Sequence, residues 1–265
     1  MRFFSWNVNG IRAATRKGFL DWLDDEQPDV LCLQEIRANE DQVGDDVLKD
    51  HGYHVVWVSA ERKGYSGVAT FSKTPPDEVR VGLGVDRFDE EGRLVMTRHG
   101  DLLLYNGYFP NGGREHARVP YKLDFYRALL DRVRQDLAEG HSVIVCGDWN
   151  TAHQPVDLAR PRANVKTSGF LPSERALVDD FIAAGFVDVF RALYPIERDV
   201  FSWWSNRKGA RERNIGWRID YHMASRDLLP RVVDARVHTA VMGSDHCPVE
   251  LELVDMPGNE EEAAS

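Results

Sequence analysis

The stretch "VIVCGDWNTAH", residues 143–153, ends an apolar run in an acid and an amide two positions apart. Val143, Ile144, Val145 and Cys146, bounded by Gly147, predict a core strand, and the two-residue period of a strand sends Asp148 and Asn150 to one side where it runs out. Ligands of open α/β sheets gather beyond such strand ends. The arrangement recurs along the chain. "SWNVNG" places Asn7 and Asn9 at alternate positions before Gly10, "LCLQE" closes an apolar strand with Gln34 and Glu35, and "YNGYFPNG" ends another with Tyr108 and Asn111. "WRIDYHMAS" sets Asp220 in the middle of an apolar strand, and "GSDHCPV" puts Asp245 and His246 in a turn just before the last strand.

Taken singly, Asn or Asp beside Gly is ordinary turn chemistry. Asp220 is different, because an acid in an apolar strand needs a partner to offset its desolvation. His246 is a candidate for that partner, and an Asp–His pair fixes the imidazole tautomer and raises its basicity. Glu35, Asp148, Asp245 and the amide oxygens form an oxygen-rich donor set with one His and no CxxC pair. Such a set suits Mg²⁺ or Mn²⁺ rather than structural Zn²⁺. A hard ion held by few carboxylates keeps waters and leaves room for a substrate phosphate, so phosphoryl chemistry is expected. The absence of a Walker loop or a dinucleotide GxGxxG stretch takes support from nucleoside triphosphate hydrolysis and hydride transfer.

These residues need a scaffold of strands. "RFFSWNV", "DVLCLQE", "HVVWVSA", "GVATFSK", "RLVMTRH", "DLLLYNGYF", "SVIVCGD", "RIDYHMAS" and "VDARVHTAV" read as strands, with a hairpin joined at Gly100–Asp101. "KGFLDWLDDE", "VPYKLDFYRALLDRVRQDLAEG" and "SERALVDDFIAAG" read as helices, and in the second Leu123, Tyr126, Leu130, Val133 and Leu137 mark one buried stripe. Pro172-Ser173-Glu174 looks like a helix start. Strand-rich alternation of this kind predicts two mixed sheets packed face to face with helices outside. One domain over residues 1–254 is the economical organisation of the 265-residue chain, and the acidic segment 255–265 is expected to be disordered.

Composition bounds the partners. Cys32, Cys146 and Cys247 are odd in number and the first two lie in apolar runs, which predicts reduced, buried thiols. No apolar stretch reaches the roughly 18 residues of a spanning helix or resembles a signal peptide, so a soluble, cytoplasmic protein with no membrane partner is expected. The net charge of −10 argues mildly against nucleic acid, but basic clusters at "RPRANVK" (Arg160, Arg162, Lys166) and "RKGARER" (Arg207, Lys208, Arg211, Arg213) would give an acidic body a positive face.

In order, "SWNVNGIRA", "CLQEIRA", "YSGVATFSK", "YFPNGGRE", "CGDWNTAH", "SGFLPSER", "FSWWSN", "GWRIDYHMAS" and "GSDHCPV" resemble the exonuclease III family of apurinic/apyrimidinic endonucleases, within the endonuclease/exonuclease/phosphatase superfamily. The match covers nearly the whole chain to about residue 253. It implies a four-layer α/β sandwich and an Mg²⁺-dependent enzyme that nicks duplex DNA on the 5′ side of abasic sites. By position, Glu35 resembles the principal metal ligand, with Asn7 close by, Asp245 helping, and Asp148, Asn150 and His246 around the same centre; Mn²⁺ is a possible substitute. Asp148 would orient or deprotonate the attacking water, Asn150 would hold the developing oxyanion, Tyr108 would contact phosphate, and His246 paired with Asp220 would stabilise or protonate a phosphate oxygen. Trp203, Trp217 and Ile219 fall where the family lines its pocket for a base-free sugar, and Arg12, Arg114 and Arg162 are implied phosphate grips.

Trp149 departs from the smaller apolar residue often found inside "GDWN", which predicts a packing consequence. The resemblance also implies 3′-5′ exonuclease and 3′-phosphodiesterase or phosphatase activity on blocked 3′ ends, in a monomer. A superfamily phosphatase or a nonspecific deoxyribonuclease would share the metal core and the Asp–His pair, but "GWRIDY" and "SGFLPSER" favour the repair branch. A catalytically silent DNA-binding scaffold is disfavoured by the presence of every acid and amide of the set.

Overall fold

The structure is a computed structural model that describes residues 1–254 apart from Asp50 and Lys208. Lys208 of the basic loop and the acidic segment 255–265 therefore lie outside the described residues. Numbered in chain order, one six-stranded sheet contains β1 (Arg2–Asn7), β2 (Val30–Gln34), β3 (His54–Val58), β4 (Val68–Ser72), β13 (Val232–Val237) and β14 (Val249–Leu253). A second contains β5 (Glu78–Val81), β6 (Leu94–His99), β7 (Leu102–Tyr108), β8 (Ser142–Asp148), β9 (Phe186–Asp188) and β12 (Asp220–Ser225). The short pair β10 (Trp203–Trp204) and β11 (Gly216–Trp217) stands apart from both. The helices are α1 (Ile11–Thr15), α2 (Phe19–Glu26), α3 (Asp45–Leu48), α4 (Asp86–Asp89), α5 (Val119–Ala138), α6 (Pro161–Asn164), α7 (Pro172–Ala183) and α8 (Val189–Leu193).

The sheet orders are β13-β14-β1-β2-β4-β3 and β5-β6-β7-β8-β12-β9, with β1–β2 and β7–β8 parallel and the other pairs antiparallel. Alternation along each strand then feeds two cores. Phe4, Trp6, Leu31, Leu33, Ala69 and Phe71 face outward against Phe19 and Leu23 of α2. Leu103, Tyr105, Val143, Val145, Tyr221 and Met223 face outward against α5 and α7 through Tyr126, Leu129, Val133, Val178 and Phe181. The opposite faces, Phe3, Cys32, Leu104, Ile144, Cys146, Ala224 and Leu251, close on one another between the sheets. The expected α/β sandwich, with two mixed sheets between outer helices, is what forms.

Some elements depart from the sequence reading. The buried face of α5 is wider than the predicted stripe: it takes Phe125 and Leu129, while Leu123 and Leu137 are only partly buried at its margins. It also hides Lys122 and Asp136, both fully buried, which a hydrophobic pattern cannot report. The "VDARVHTAV" strand stops at Val237, because His238 and Val241 turn back through a backbone bond of 2.9 Å. All three cysteines are free and buried, as expected. No helix among the described residues is long and apolar enough to cross a membrane.

Trp149 is fully buried, stacked on Phe109 with ring centroids 4.5 Å apart and edge-on to Phe181, so the unusual residue in "GDWN" fills the space between β8 and α7. At the opposite side of the fold, Glu250 of β14 is held by Arg2 at 2.7 Å and His238 at 2.8 Å. Burial acts to raise its pKa, but the hydrogen bonds from His238 and Arg2 win and lower it to about 2. A carboxyl whose folded pKa lies below its unfolded value stabilises the fold above the unfolded value and loses that contribution as pH falls through the folded one. Wild type is expected to lose about 2 kcal/mol through this group between pH 5 and pH 3. In urea denaturation Glu250→Gln should be less stable at pH 7 and show a correspondingly shallower decline over that range.

Candidate active site

The strand directions place the polar ends together. Because β1 and β2 are parallel, Asn7 pairs with Gln34, and Glu35 follows beside them. Because β7 and β8 are parallel, Tyr108 pairs with Asp148. Strand β12 runs antiparallel to β8, so its first residue, Asp220, lies opposite Asp148. Asp220 therefore opens its strand rather than occupying the middle of it. Strand β14 runs antiparallel to β1, which brings the turn before Val249, with Asp245 and His246, to the same edge.

Two strand ends use the same local device. Asp148 accepts the Asn150 backbone N–H at 2.8 Å, and Asn7 accepts that of Asn9 at 2.9 Å. These side chain-to-backbone bonds turn the chain two residues on. Asn150, Asn9 and Glu35 take left-handed backbone conformations, φ 50, 47 and 54, which cluster at functional sites when the surroundings hold them. Asp148 and Asn150 do converge, with the Asn150 amide 3.2 Å from the acid, but through this turn and not through strand alternation. Gly147 is required here: a Cβ would lie 1.9 Å from the Gly107 carbonyl of the neighbouring strand.

A hydrogen-bonded cluster follows. The Asn7 amide donates to Asp148 at 2.9 Å and to Glu35 at 3.1 Å. His246 Nδ1 meets Asp220 at 2.9 Å, while its Nε2 lies 3.8 Å from Asp148. Ser202 donates to Asp220 at 2.6 Å and accepts the Ile219 and Asp220 backbone N–H groups, fixing the acid from behind. Asp245 accepts from Asn9 at 2.8 Å and from Trp203 Nε1 at 3.2 Å. Tyr108 is buried under the Arg93 guanidinium, 4.7 Å from its ring centroid.

The electrostatics follow from burial against charge. Burial alone would lower the His246 pKa, but Asp220 and Asp148 overcome it and raise it to about 10. Burial raises Asp148, opposed by His246. Burial would raise Asp245 as well, but His246, Asn9 and Trp203 hold it below the usual carboxylate range. Tyr108 is pushed well up by burial and by Glu35 and Asp148, so its hydroxyl stays a donor. Asp148, Asp220 and His246 offer ligand atoms within 4.8 Å of one another, a spacing at which a cation could be held.

These groups open into a cleft of about 730 Å³. One wall is apolar: Trp203 and Trp217 lie edge to face at 6.3 Å over Ile219, with Phe170 beneath Trp217. Arg37, Arg160, Arg207 and Arg213 line its rim, giving the acidic chain a local positive border. A model of the endonuclease/exonuclease/phosphatase family matches residues 4–246, nearly the whole described chain.

The chain belongs to that family. It is 46% identical over 252 residues to an exodeoxyribonuclease of Bacillus subtilis, covering 95% of this chain and 98% of the relative. It is 40% identical to the DNA repair nuclease APEX1 of Danio rerio, covering 96% and 82%. Among solved structures, the catalytic domain of Xenopus laevis APE2 superposes with a TM-score of 0.86 at 33% identity, covering 96% of this chain and 91% of that one. The 3′ phosphatase NExo from Neisseria bound to a product DNA hairpin superposes with a TM-score of 0.88 at 27% identity, covering 96% and 100%. The resemblance to apurinic/apyrimidinic endonucleases holds, and the chain is a DNA-repair nuclease of that endonuclease and exonuclease kind.

Within this nuclease fold, Asn7, Glu35, Tyr108, Asp148, Asn150, Asp220, Asp245 and His246 gather around one cleft edge, and Trp203, Trp217 and Ile219 share its wall. Three arginines do not join them. Arg12 lines a neighbouring depression of about 420 Å³ with Arg16 and Arg37, and Arg114 and Arg162 are exposed and absent from the cleft lining. Helix α6 turns Arg162 away while Arg160, two residues earlier, faces in, a choice that loop sequence does not encode. Gln34 also differs: it lies between the sheets, donating to Ser5 and Asn106 at 3.0 and 2.8 Å. Ser202 and Phe170 went unseen as site residues although "FSWWSN" and "SGFLPSER" contain them, because a serine or phenylalanine reveals a role only once its neighbours are known.

Since Asp220 supplies the leading attraction on His246, its removal should expose the effect of burial. The ¹⁵N shifts of the ring should report an imidazolium at pH 8 in the wild type. In Asp220→Asn the ring titration should move to lower pH. An unchanged midpoint would mean that Asp220 does not hold the charge.

Proposed function

We propose that this nuclease is an Mg²⁺-dependent repair hydrolase that cleaves the phosphodiester 5′ to abasic sites in duplex DNA, with 3′-5′ exonuclease and 3′-phosphodiesterase or phosphatase activity. The observation that carries the reading is the placement of the Asp148–Asn150–His246 cluster directly beside an apolar wall of Trp203, Trp217 and Ile219. A pocket of that kind accepts an extruded sugar without a base and rejects an intact nucleotide, while weak stacking at the lesion lowers the cost of extrusion. The relatives named an exodeoxyribonuclease and a DNA repair nuclease, and the neighbour holding a product hairpin, support DNA as substrate.

The donor set suits a hard divalent ion. Glu35 and Asp148 share one amide donor, Asn7, and Asp245 accepts from Asn9, so three carboxylates lie at the cleft edge beside a single imidazole. Glu35 and Asn7 would hold the ion, with Asp245 supporting it and Asp148, Asn150 and His246 around the same centre; Mn²⁺ would be a substitute. Bound there, Mg²⁺ would supply charge neutralisation at the scissile phosphate.

The chain's own residues account for the rest. Asp148, whose pKa is raised by burial, is placed to take a proton from water. Asn150 has one amide N–H fixed on the Phe109 carbonyl at 2.9 Å, and the other, now on Asp148 at 3.2 Å, would turn to charge developing on phosphate. The His246 imidazolium, kept charged by Asp220, stabilises or protonates a phosphate oxygen, and the neutral Tyr108 hydroxyl donates to another. Arg37, Arg160 and Arg207 are the better-placed phosphate grips at the rim; Arg12, with Arg114 and Arg162 on the exposed surface, would act further along the duplex. Such contacts position DNA without reading its sequence. We further propose that residues 1–254 act as one domain, as a monomer in the cytoplasm.

A labelled duplex with one abasic-site analogue should be cut immediately 5′ to the lesion with Mg²⁺ and left intact with EDTA. Asp148→Asn should slow this by about 10²–10⁴-fold. Equal degradation of an undamaged duplex would point instead to a nonspecific nuclease.

A further inference from the structure

Beneath the cleft lies a charge pair that the chemistry above does not use. Lys122 of α5 and Glu174 of α7 meet at 2.8 Å, and both side chains are 0% exposed. Their remaining hydrogen bonds all end on residues in or beside the site. Lys122 Nζ donates to the Asn150 carbonyl at 2.7 Å. Glu174 Oε1 accepts from Ser168 Oγ at 2.8 Å, and Oε2 accepts the backbone N–H groups of Gly169 at 2.6 Å and Leu171 at 3.0 Å. Capping of α7 accounts only for the bond to Leu171.

Ser168 and Gly169 form the cleft wall facing Asn150 and Trp217. The wall has no slack: a Cβ on Gly169 would stand 3.1 Å from the Asn150 carbonyl and 3.2 Å from the Trp217 ring, at a backbone φ of +93. The Gly169 carbonyl in turn accepts Ala152 N–H at 2.8 Å. Any shift of Glu174 therefore reaches Asn150 by two routes, through Lys122 and through Gly169, and reaches the pocket wall by the second. A buried ion pair is weak evidence for stability, because apolar or neutral replacements of both partners are often as stable. Its partners here point to geometry.

We propose that Lys122 and Glu174 are positioning residues that set the width of the cleft between Asn150 and Trp217, and thereby the preference of this nuclease for a base-free sugar over an intact nucleotide. The proposal rests on the functional reading above for its substrate, and on the hydrogen bonds alone for its geometry. Neither side chain touches the reacting atoms, so their effect passes through Asn150, Ser168 and Gly169.

The test compares wild type with Lys122→Met, Glu174→Gln and the double variant on two substrates: a duplex with an abasic-site analogue and an intact duplex degraded from its 3′ end. Each single variant leaves a buried charge without its partner and should melt earlier; the double variant buries no charge and should regain most of the lost Tm, short of the bond from Lys122 to the Asn150 carbonyl. The ratio of abasic incision to 3′-end degradation should fall by about tenfold or more in all three, because a displaced Trp217 wall misplaces the base-free sugar, and a small misplacement of bound substrate can slow a reaction about a hundredfold. Resonances of the Asn150 side-chain amide and the Trp217 indole N–H, which neither substituted side chain touches, should move in the double variant although its Tm recovers. A double variant that regains both Tm and the substrate ratio, or keeps both resonances in place, overturns the proposal. A wild type with no preference for the abasic duplex would sink the functional reading, and the two resonances would still decide whether the pair positions the wall.

Discussion

The structure turns on one electrostatic arrangement: the His246 imidazole held between two buried carboxylates, with Asp220 at 2.9 Å and Asp148 at 3.8 Å. Three ionisable groups this deep are unfavourable unless each compensates another. Asp220 is further satisfied by Ser202 and Asp148 by Asn7 and Asn150, so the desolvation penalty is met by bonds drawn from both sheets. The cluster cannot form on either sheet alone. Asp148 and Asp220 belong to β8 and β12, whereas Asn7 and His246 adjoin β1 and β14.

That requirement explains the seam between the sheets. Gln34 of β2 reaches Asn106 of β7 at 2.8 Å, and the Asn106 amide returns to the Ala69 carbonyl at 3.0 Å and Thr70 Oγ1 at 3.2 Å in β4. Apolar packing sets the spacing of the two sheets but is non-directional and fixes their register less sharply. Directional bonds between buried amides do not, since each slip strands a donor. The seam thus locks the relative position of strand ends on which the site depends.

The same logic separates chemistry from recognition in this nuclease. The acids, amides and histidine sit on rigid strand ends, while the apolar wall comes from β10, β11 and the Ser168–Phe170 loop, and the arginine rim from loops and the short helix α6. Groups that must meet reacting atoms within tenths of an ångström are on strand ends or in the turns directly joined to them. Groups that grip a repeating phosphate backbone are on segments whose longer side chains can adjust. Arg218, between the wall residues Trp217 and Ile219, turns the other way and is clamped by Asp157 and Asp188 at 2.9 and 2.6 Å, anchoring the segment between β11 and β12 that carries them.

Much of this was legible in the sequence. Apolar runs closed by Asn-x-Asn, Gln-Glu and Asp-Trp-Asn announced strands with polar ends, because strand alternation and turn chemistry are local rules, and nine motifs in order located the family. Trp149 likewise announced a packing role. What only the tertiary structure decided were the non-local facts: that Asp220 opens its strand opposite Asp148, that Gln34 turns into the seam and not the cleft, that Arg160 faces the cleft while Arg162 does not, and that Lys122 is a buried cation under the site. Local sequence sets what each side chain can do and the backbone period that carries it. Strand pairing and burial set which groups meet, and a lysine reads as a surface charge until a buried glutamate from another helix is placed against it.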